Sequence, residues 1–92
     1  MDLKDKVALV TGGASGLGQA TVEAFVSKGA KVVILDINEE KANEIISNLG
    51  DDSVMFISTD IMQEEPVVNA VNSINEKFGG LHIAVNCAGT GY

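Results

Sequence analysis

The chain has 92 residues, which is enough for one small domain. It carries 13 acidic residues against six basic ones, all lysines, for a net charge of −7. Because nucleic-acid-binding domains usually present a basic face rich in arginine, this composition argues against DNA or RNA as a partner. A single cysteine cannot form an internal disulfide, which favours a reducing intracellular compartment. Residues 1–6 do not resemble a targeting peptide, and no apolar run approaches the ~20 residues of a membrane helix, so we expect no membrane partner.

Four short apolar runs alternate with three longer helical patterns. The runs are residues 6–11, 31–36, 54–58 and 81–86. The first two are almost continuous in valine, leucine and isoleucine, which is typical of strands buried on both faces of a parallel sheet. The alternation predicts one α/β unit of the form βαβαβαβ with right-handed crossovers.

The segments between the runs repeat apolar residues at helical spacing. The first helix is predicted over about residues 16–28, with Leu17, Ala20, Ala24 and Phe25 facing inward. The second has Asn38 as its N-cap and Gly50 at its end, with an inward stripe of Ala42, Ile45, Ile46 and Leu49. The third starts near Pro66 and ends at residues 79–80, with an inward stripe of Val67, Val71, Ile74 and Phe78.

A glycine-rich loop joins the first strand to the first helix, with the sequence Thr11-Gly12-Gly13-Ala14-Ser15-Gly16-Leu17-Gly18. A helix N-terminus at such a junction presents unpaired N–H groups and partial positive charge, which bind a diphosphate. Gly12 would permit the tight turn, Gly16 the close approach of the phosphates, and Gly18 close helix–strand packing. A glycine turn without a ligand is the alternative. A P-loop is excluded because no Gly-Lys-Ser/Thr follows.

Asp36 ends the second apolar run, 18 residues after Gly18. Dinucleotide-binding folds place a carboxylate here to accept hydrogen bonds from the adenosine ribose. A 2′-phosphate would meet a like charge, and residues 13–15, 37 and 38 include no lysine or arginine to receive it. The sequence therefore predicts NAD rather than NADP, unless Asp36 only caps the following helix.

Taken together, these motifs resemble those of the short-chain dehydrogenases/reductases. The family fingerprint Thr-Gly-x-x-x-Gly-x-Gly is matched in full by residues 11–18. The family motif Asn-Asn-Ala-Gly after the fourth strand is present as Asn86-Cys87-Ala88-Gly89, and its aspartate after the third strand corresponds to Asp60, although that residue could instead be a simple turn residue. The resemblance implies a Rossmann-type three-layer parallel sheet with strand order 3-2-1-4, here incomplete.

The resemblance also implies a cofactor site and an activity. The residues it assigns to NAD are Gly12, Ser15, Gly16, Leu17, Gly18, Asp36, Asp60, Ile61, Asn86, Cys87, Ala88 and Gly89. The glycine loop and the Asn-Cys-Ala-Gly stretch are most similar to a subfamily that oxidises 3-hydroxyacyl-CoA thioesters and hydroxysteroids, usually as a mitochondrial tetramer. Outside that subfamily we expect a cytoplasmic location.

The family's catalytic serine, tyrosine and lysine have no counterpart in this sequence. The only tyrosine, Tyr92, is the last residue, so no lysine can follow it at the family spacing. We therefore interpret residues 1–92 as the N-terminal NAD-binding half of one domain, from a shortened protein or an incomplete gene, and expect it to be inactive. In strand order 3-2-1-4 the fourth strand becomes an open edge, which predicts a marginally stable or self-associating chain.

Other polar residues have simpler interpretations. Cys87 is expected to be a buried small side chain rather than a nucleophile, and His82 to be structural or exposed. No cluster has metal-ligand spacing. Two other functions are kept open: a non-catalytic NAD-binding regulatory module, and, with less support from the loop spacing, an S-adenosylmethionine-dependent methyltransferase.

Overall fold

The computed structural model describes residues 3–12, 16–50, 52–59 and 64–87. Strands and helices alternate along the chain as predicted. They are β1 (Val7–Thr11), α1 (Gly16–Ser27), β2 (Lys31–Asp36), α2 (Glu39–Leu49), β3 (Val54–Ser58), α3 (Glu64–Phe78) and β4 (Ile83–Asn86). β1 starts one residue later than predicted, and β4 two residues later.

The four strands form one parallel sheet in the order β3-β2-β1-β4, which confirms the predicted topology. Thr11 at the end of β1 is level with Leu35 of β2 and Asn86 of β4. Asp36 in turn is level with Ser58 of β3. The carboxyl ends of all four strands therefore meet along one edge of the sheet.

Two buried clusters cover the two faces of the sheet, which accounts for the continuous apolar runs of β1 and β2. On one face, α1 and α2 contribute Val22, Ala42 and Ile45 to a cluster that includes Val10 and Ile34 of the strands. On the other face, α3 contributes its buried residues to a second cluster; the members of that cluster are Val7, Leu9, Val33, Leu35, Ala70 and Ile74. The result is a three-layer α/β/α arrangement.

The predicted inward face of α1 is wrong at three of its four positions. Leu17 is 62% exposed, and Ala20 and Ala24 are exposed as well. The helix instead buries Gly18 and Val22, with Phe25 and Val26 packed partly behind them. Apolar residues form two stripes on this helix, Leu17, Ala20 and Ala24 on one side and Val22, Phe25 and Val26 on another, and the sheet contacts the stripe with the branched and aromatic side chains.

The ends of α2 and α3 agree with the predicted capping. The Asn38 side chain accepts a hydrogen bond from the Lys41 amide at 3.0 Å, and the Gly50 amide donates to Ile46 O at 2.7 Å. The amide of Gly79 closes α3 by donating to Asn75 O at 2.9 Å. Satisfied helix ends fix where each helix stops, and so where each following strand enters the sheet.

Candidate functional site

The carboxyl edge of the sheet contains the point where the chain reverses its direction of winding. From β1 the chain first adds β2 and β3 on one side, and only later adds β4 on the other. The helices that follow β1 and β2 cover one face, whereas the helix that follows β3 covers the opposite face. Open α/β sheets bind ligands in the crevice that such a reversal leaves, here between the ends of β1 and β4.

Side chains at the ends of β1 and β4 are joined by hydrogen bonds across this crevice. The Thr11 hydroxyl donates to Asn86 Oδ1 at 2.9 Å and lies 3.4 Å from Val85 O. The Cys87 amide donates to Thr11 O at 2.8 Å, which continues the pairing one residue beyond β4. The Asn86 amide group is thereby fixed with its carbonyl oxygen toward β1.

The glycine loop leaves β1 through a sharp turn. Gly12 has φ +70°, a conformation that favours glycine, and its amide donates to Leu35 O at 2.7 Å. That bond holds the start of the loop against the end of β2, beside Asp36. The predicted role of Gly12 in the tight turn agrees with this geometry.

Gly16 begins α1 in an unusual setting. It is exposed, its φ is not among the positive glycine values, and a Cβ added to it would meet nothing within 4 Å. Neither backbone conformation nor packing against the described residues therefore calls for glycine here. In addition, the first turn of α1 contains no acidic residue, whereas that of α2 contains Glu39 and Glu40. Among the described residues, nothing fills the space beside Gly16, and no acidic side chain of the first turn offsets the positive end of the α1 dipole.

Asp36 lies at the end of β2, half-buried, with its Oδ1 accepting the Asn38 amide at 3.0 Å. Its backbone carbonyl accepts the amide of buried Thr59 at 3.0 Å. The cap of α2 is Asn38, so the interpretation of Asp36 as merely a direct helix cap is not supported. Next to it, Ile37 is 72% exposed and presents an apolar surface on the same edge.

The structure brings together most of the predicted site residues that it describes. Gly12, Gly16 and Gly18 lie at the β1–α1 junction and Asp36 at the end of β2; exposed Leu17 is in the first turn of α1, and Asn86 and Cys87 are at the end of β4. The other predicted positions, Ser15, Asp60, Ile61, Ala88 and Gly89, lie outside the described residues.

Two threonines were not predicted as site residues. Thr11 was recognised only as the first residue of the glycine motif, yet its hydroxyl links β1 to Asn86 of β4. Thr21 lies 3.7 Å from Cys87, measured between Oγ1 and Sγ, and the two residues are 66 positions apart. The motif itself was a signal for Thr11. Thr21 had none, because pairs so far apart in sequence become neighbours only through the topology.

The burial of Cys87 and the exposure of His82 are as predicted. Cys87 is buried at 6% exposure, and His82 is an exposed residue whose Nδ1 accepts the Val7 amide at 3.0 Å.

Across the described part of the chain, no group of three or more His, Cys, Asp or Glu could hold a metal ion. In that same part, every helix is too short or too polar to cross a membrane.

Comparison with known proteins gives consistent matches. A family model described as short chain dehydrogenase matches residues 6–92. A Drosophila melanogaster protein, 3-hydroxyacyl-CoA dehydrogenase type-2, is 47% identical over 88 residues, which are 96% of this chain and 34% of that protein. The chain spans about a third of the length of the curated relatives it matches.

Two of the solved structures that match this chain cover 100% and 89% of it. A short-chain type dehydrogenase/reductase from Mycobacterium ulcerans superimposes with a TM-score of 0.90 at 32% identity, over 100% of this chain and 35% of that one. A 3-ketoacyl-(acyl-carrier-protein) reductase from Brucella melitensis, solved with NADH, has a TM-score of 0.82 at 38% identity over 89% of this chain and 33% of that one.

Proposed function

The chain belongs to the short-chain dehydrogenase family, and we propose that it forms the N-terminal, NAD-binding half of an oxidoreductase domain. In the whole protein this half would bind the adenine end and the diphosphate of the cofactor. The bound cofactor supplies a hydride acceptor for a secondary alcohol, which is oxidised to the ketone. A segment beyond residue 92 would supply the groups that move the proton, so the 92-residue chain itself is expected to be inactive.

The observation that carries the proposal is the open space at Gly16. Glycine forms helices less well than alanine; the difference is about 1 kcal/mol in a helix interior and smaller in the first turn, where Gly16 lies. Neither packing against the described residues nor a positive φ compensates that cost. A bound diphosphate would use the space, because the main-chain amides of the first turn could then reach its oxygens without an intervening Cβ. With no arginine in the chain, main-chain amides are the expected anion ligands.

The ribose end is assigned to Asp36. Its carboxylate stands at the end of β2, on the carboxyl edge of the sheet and beside the Gly12 turn. As a charged acceptor it would bind ribose hydroxyls with about 1.5–3 kcal/mol per hydrogen bond. The exposed side chain of Ile37 would pack against the adenine ring. This arrangement supports NAD over NADP, since a 2′-phosphate would lie next to the carboxylate.

The proposed substrate depends on the similarity of this chain to a named relative. The Drosophila relative is a 3-hydroxyacyl-CoA dehydrogenase by name, and the Asn86-Cys87 pair at the end of β4 resembles the motif of that class. We therefore propose a 3-hydroxyacyl-CoA or a hydroxysteroid as the alcohol for the whole protein. A mitochondrial location and a homotetramer belong to the same proposal.

Titration calorimetry of the chain with NADH, NADPH and S-adenosylmethionine tests the cofactor assignment. We expect NADH to bind, though weakly, and the other two to bind less well. Replacing Asp36 by arginine should weaken NADH binding about tenfold or more, by loss of a charged hydrogen bond, and should improve NADPH binding. If Asp36→Arg leaves the NADH-to-NADPH ratio unchanged, Asp36 does not contact the ribose.

Two further variants separate the effect of charge from that of local structure. Asp36→Asn keeps an oxygen for the Asn38 amide, so the turn should persist while the NADH preference falls. Asp52→Asn makes the same charge change just before β3, at the opposite edge of the sheet, and should leave NADH binding unaltered. Preferential binding of S-adenosylmethionine by the parent chain would instead support a methyltransferase.

A further inference from the structure

The contact between Thr21 and Cys87 joins two elements of the proposed site. Thr21 lies in the second turn of α1, and Cys87 follows the last residue of β4. Their Oγ1 and Sγ atoms are 3.7 Å apart in a part-buried position. Cys87 belongs to the buried cluster that also includes Val22, the neighbour of Thr21.

The number of protons that Thr21 can donate determines the direction of its hydrogen bonds. The Thr21 hydroxyl donates to Leu17 O at 3.0 Å. A hydroxyl has one proton to donate, so in the contact with Cys87 the oxygen of Thr21 is the acceptor. The S–H of Cys87 is then the donor, and a polar chain runs from Cys87 through Thr21 to the carbonyl of Leu17.

This polar chain ends in the first turn of α1, the turn proposed to bind the diphosphate. Apart from this contact, α1 packs mainly on β1 and β2. The Thr21–Cys87 contact therefore ties the N-terminal half of α1 to β4, across the crevice between the ends of β1 and β4. The contact lies where it could set the separation between the diphosphate-binding turn and the strand end on the far side of that crevice.

We propose that Thr21 is a positioning residue for the cofactor, acting through Cys87 and the Leu17 carbonyl to hold the first turn of α1 at a set distance from the end of β4. The inference rests on the proposed NAD-binding function. It adds a residue outside the glycine motif to the determinants of cofactor affinity, and it gives the single cysteine a role as a hydrogen-bond donor.

Three variants of the chain test the positioning role by calorimetry with NADH. Thr21→Val keeps the branched shape and removes the hydroxyl; we expect about threefold to fivefold weaker NADH binding, the size of one neutral hydrogen bond. Thr21→Ser restores the hydroxyl and should restore the affinity. Ser27→Ala is the matched control: its hydroxyl makes a similar bond at the other end of α1, to Ala24 O at 2.7 Å, and its loss should leave NADH affinity unchanged.

Infrared spectroscopy of the S–H stretch tests whether Cys87 donates its proton to Thr21. The chain has one cysteine, so the band belongs to Cys87 alone. It should shift to higher frequency in Thr21→Val, where the acceptor is lost, and return in Thr21→Ser. A parent chain that does not bind NADH overturns the proposed function. A parent chain that binds NADH, with unchanged affinity or an unchanged S–H band in Thr21→Val, overturns the positioning role alone.

Discussion

Replacing His82 by alanine removes the acceptor of a buried backbone amide. Val7 is only 3% exposed, and its N–H donates to Nδ1 of His82 at 3.0 Å, while the His82 N–H donates to Val7 O at 3.0 Å. These two bonds form a closed pair where β1 and β4 begin to run together. An accepting Nδ1 also places the proton of the neutral ring on Nε2.

The cost of that replacement follows from the burial. A buried donor left without a partner costs about 1–3 kcal/mol. Because the imidazole is itself exposed, water can reach part of the space that it leaves, which sets the expected loss at about 1–2 kcal/mol. For a domain of this size, that loss lowers the melting temperature by about 4–16 °C.

Thermal unfolding followed by circular dichroism measures the effect. His82→Asn is the control, since its Oδ1 is attached at the same distance along the side chain as Nδ1 and can accept the same amide. We expect His82→Ala to melt at a lower temperature and His82→Asn to stay close to the parent. If His82→Ala melts with the parent, the side chain does not satisfy Val7, and the reasoning is refuted.

Two further predictions concern packing and backbone geometry. Ile74 is a fully buried residue of α3, so Ile74→Ala should lower the free energy of unfolding in urea by about 2–5 kcal/mol. Val68→Ala, at a half-exposed position of the same helix, should change it by less than about 0.5 kcal/mol. Equal effects of the two variants would mean that α3 does not pack as described. Gly29 and Gly50 have φ +92° and +95°, but only at Gly29 would a Cβ meet backbone, at 3.2 Å. Gly29→Ala should therefore lose about 2–3 kcal/mol and Gly50→Ala about 1 kcal/mol in the same assay, and the reverse order would refute the packing of this turn.

Much of the fold could be predicted because the apolar pattern is continuous where burial is two-sided. The bounds of β2 were predicted correctly for that reason, and those of β3, an edge strand, from its shorter apolar run. The start of β4 was not: residues 81 and 82 continue the apolar run, but the ring of His82 rather than a strand carbonyl accepts the Val7 amide, so the regular ladder begins at Ile83. Side-chain pairing of this kind has no periodic signature.

Part of the candidate site could also be predicted from the sequence. Its glycines and Asp36 stand at fixed distances from strand ends, and spacing along the sequence reveals them. The hydroxyl contacts of Thr11 and Thr21 connect residues 75 and 66 positions apart, and only the strand order brings them together. In the same way, the exposure of Leu17 depended on which side of α1 meets the sheet.

The pairing of β1 with β4 also bears on how the chain reaches its binding-competent state. Its partners are about 75 residues apart, nearly the full length of the chain, so closing this loop is entropically the most expensive contact in the sheet. Parallel pairings over such separations form slowly. Full nucleotide affinity would therefore develop when the last strand docks, which makes ligand binding a kinetic reporter of completed folding rather than of early collapse.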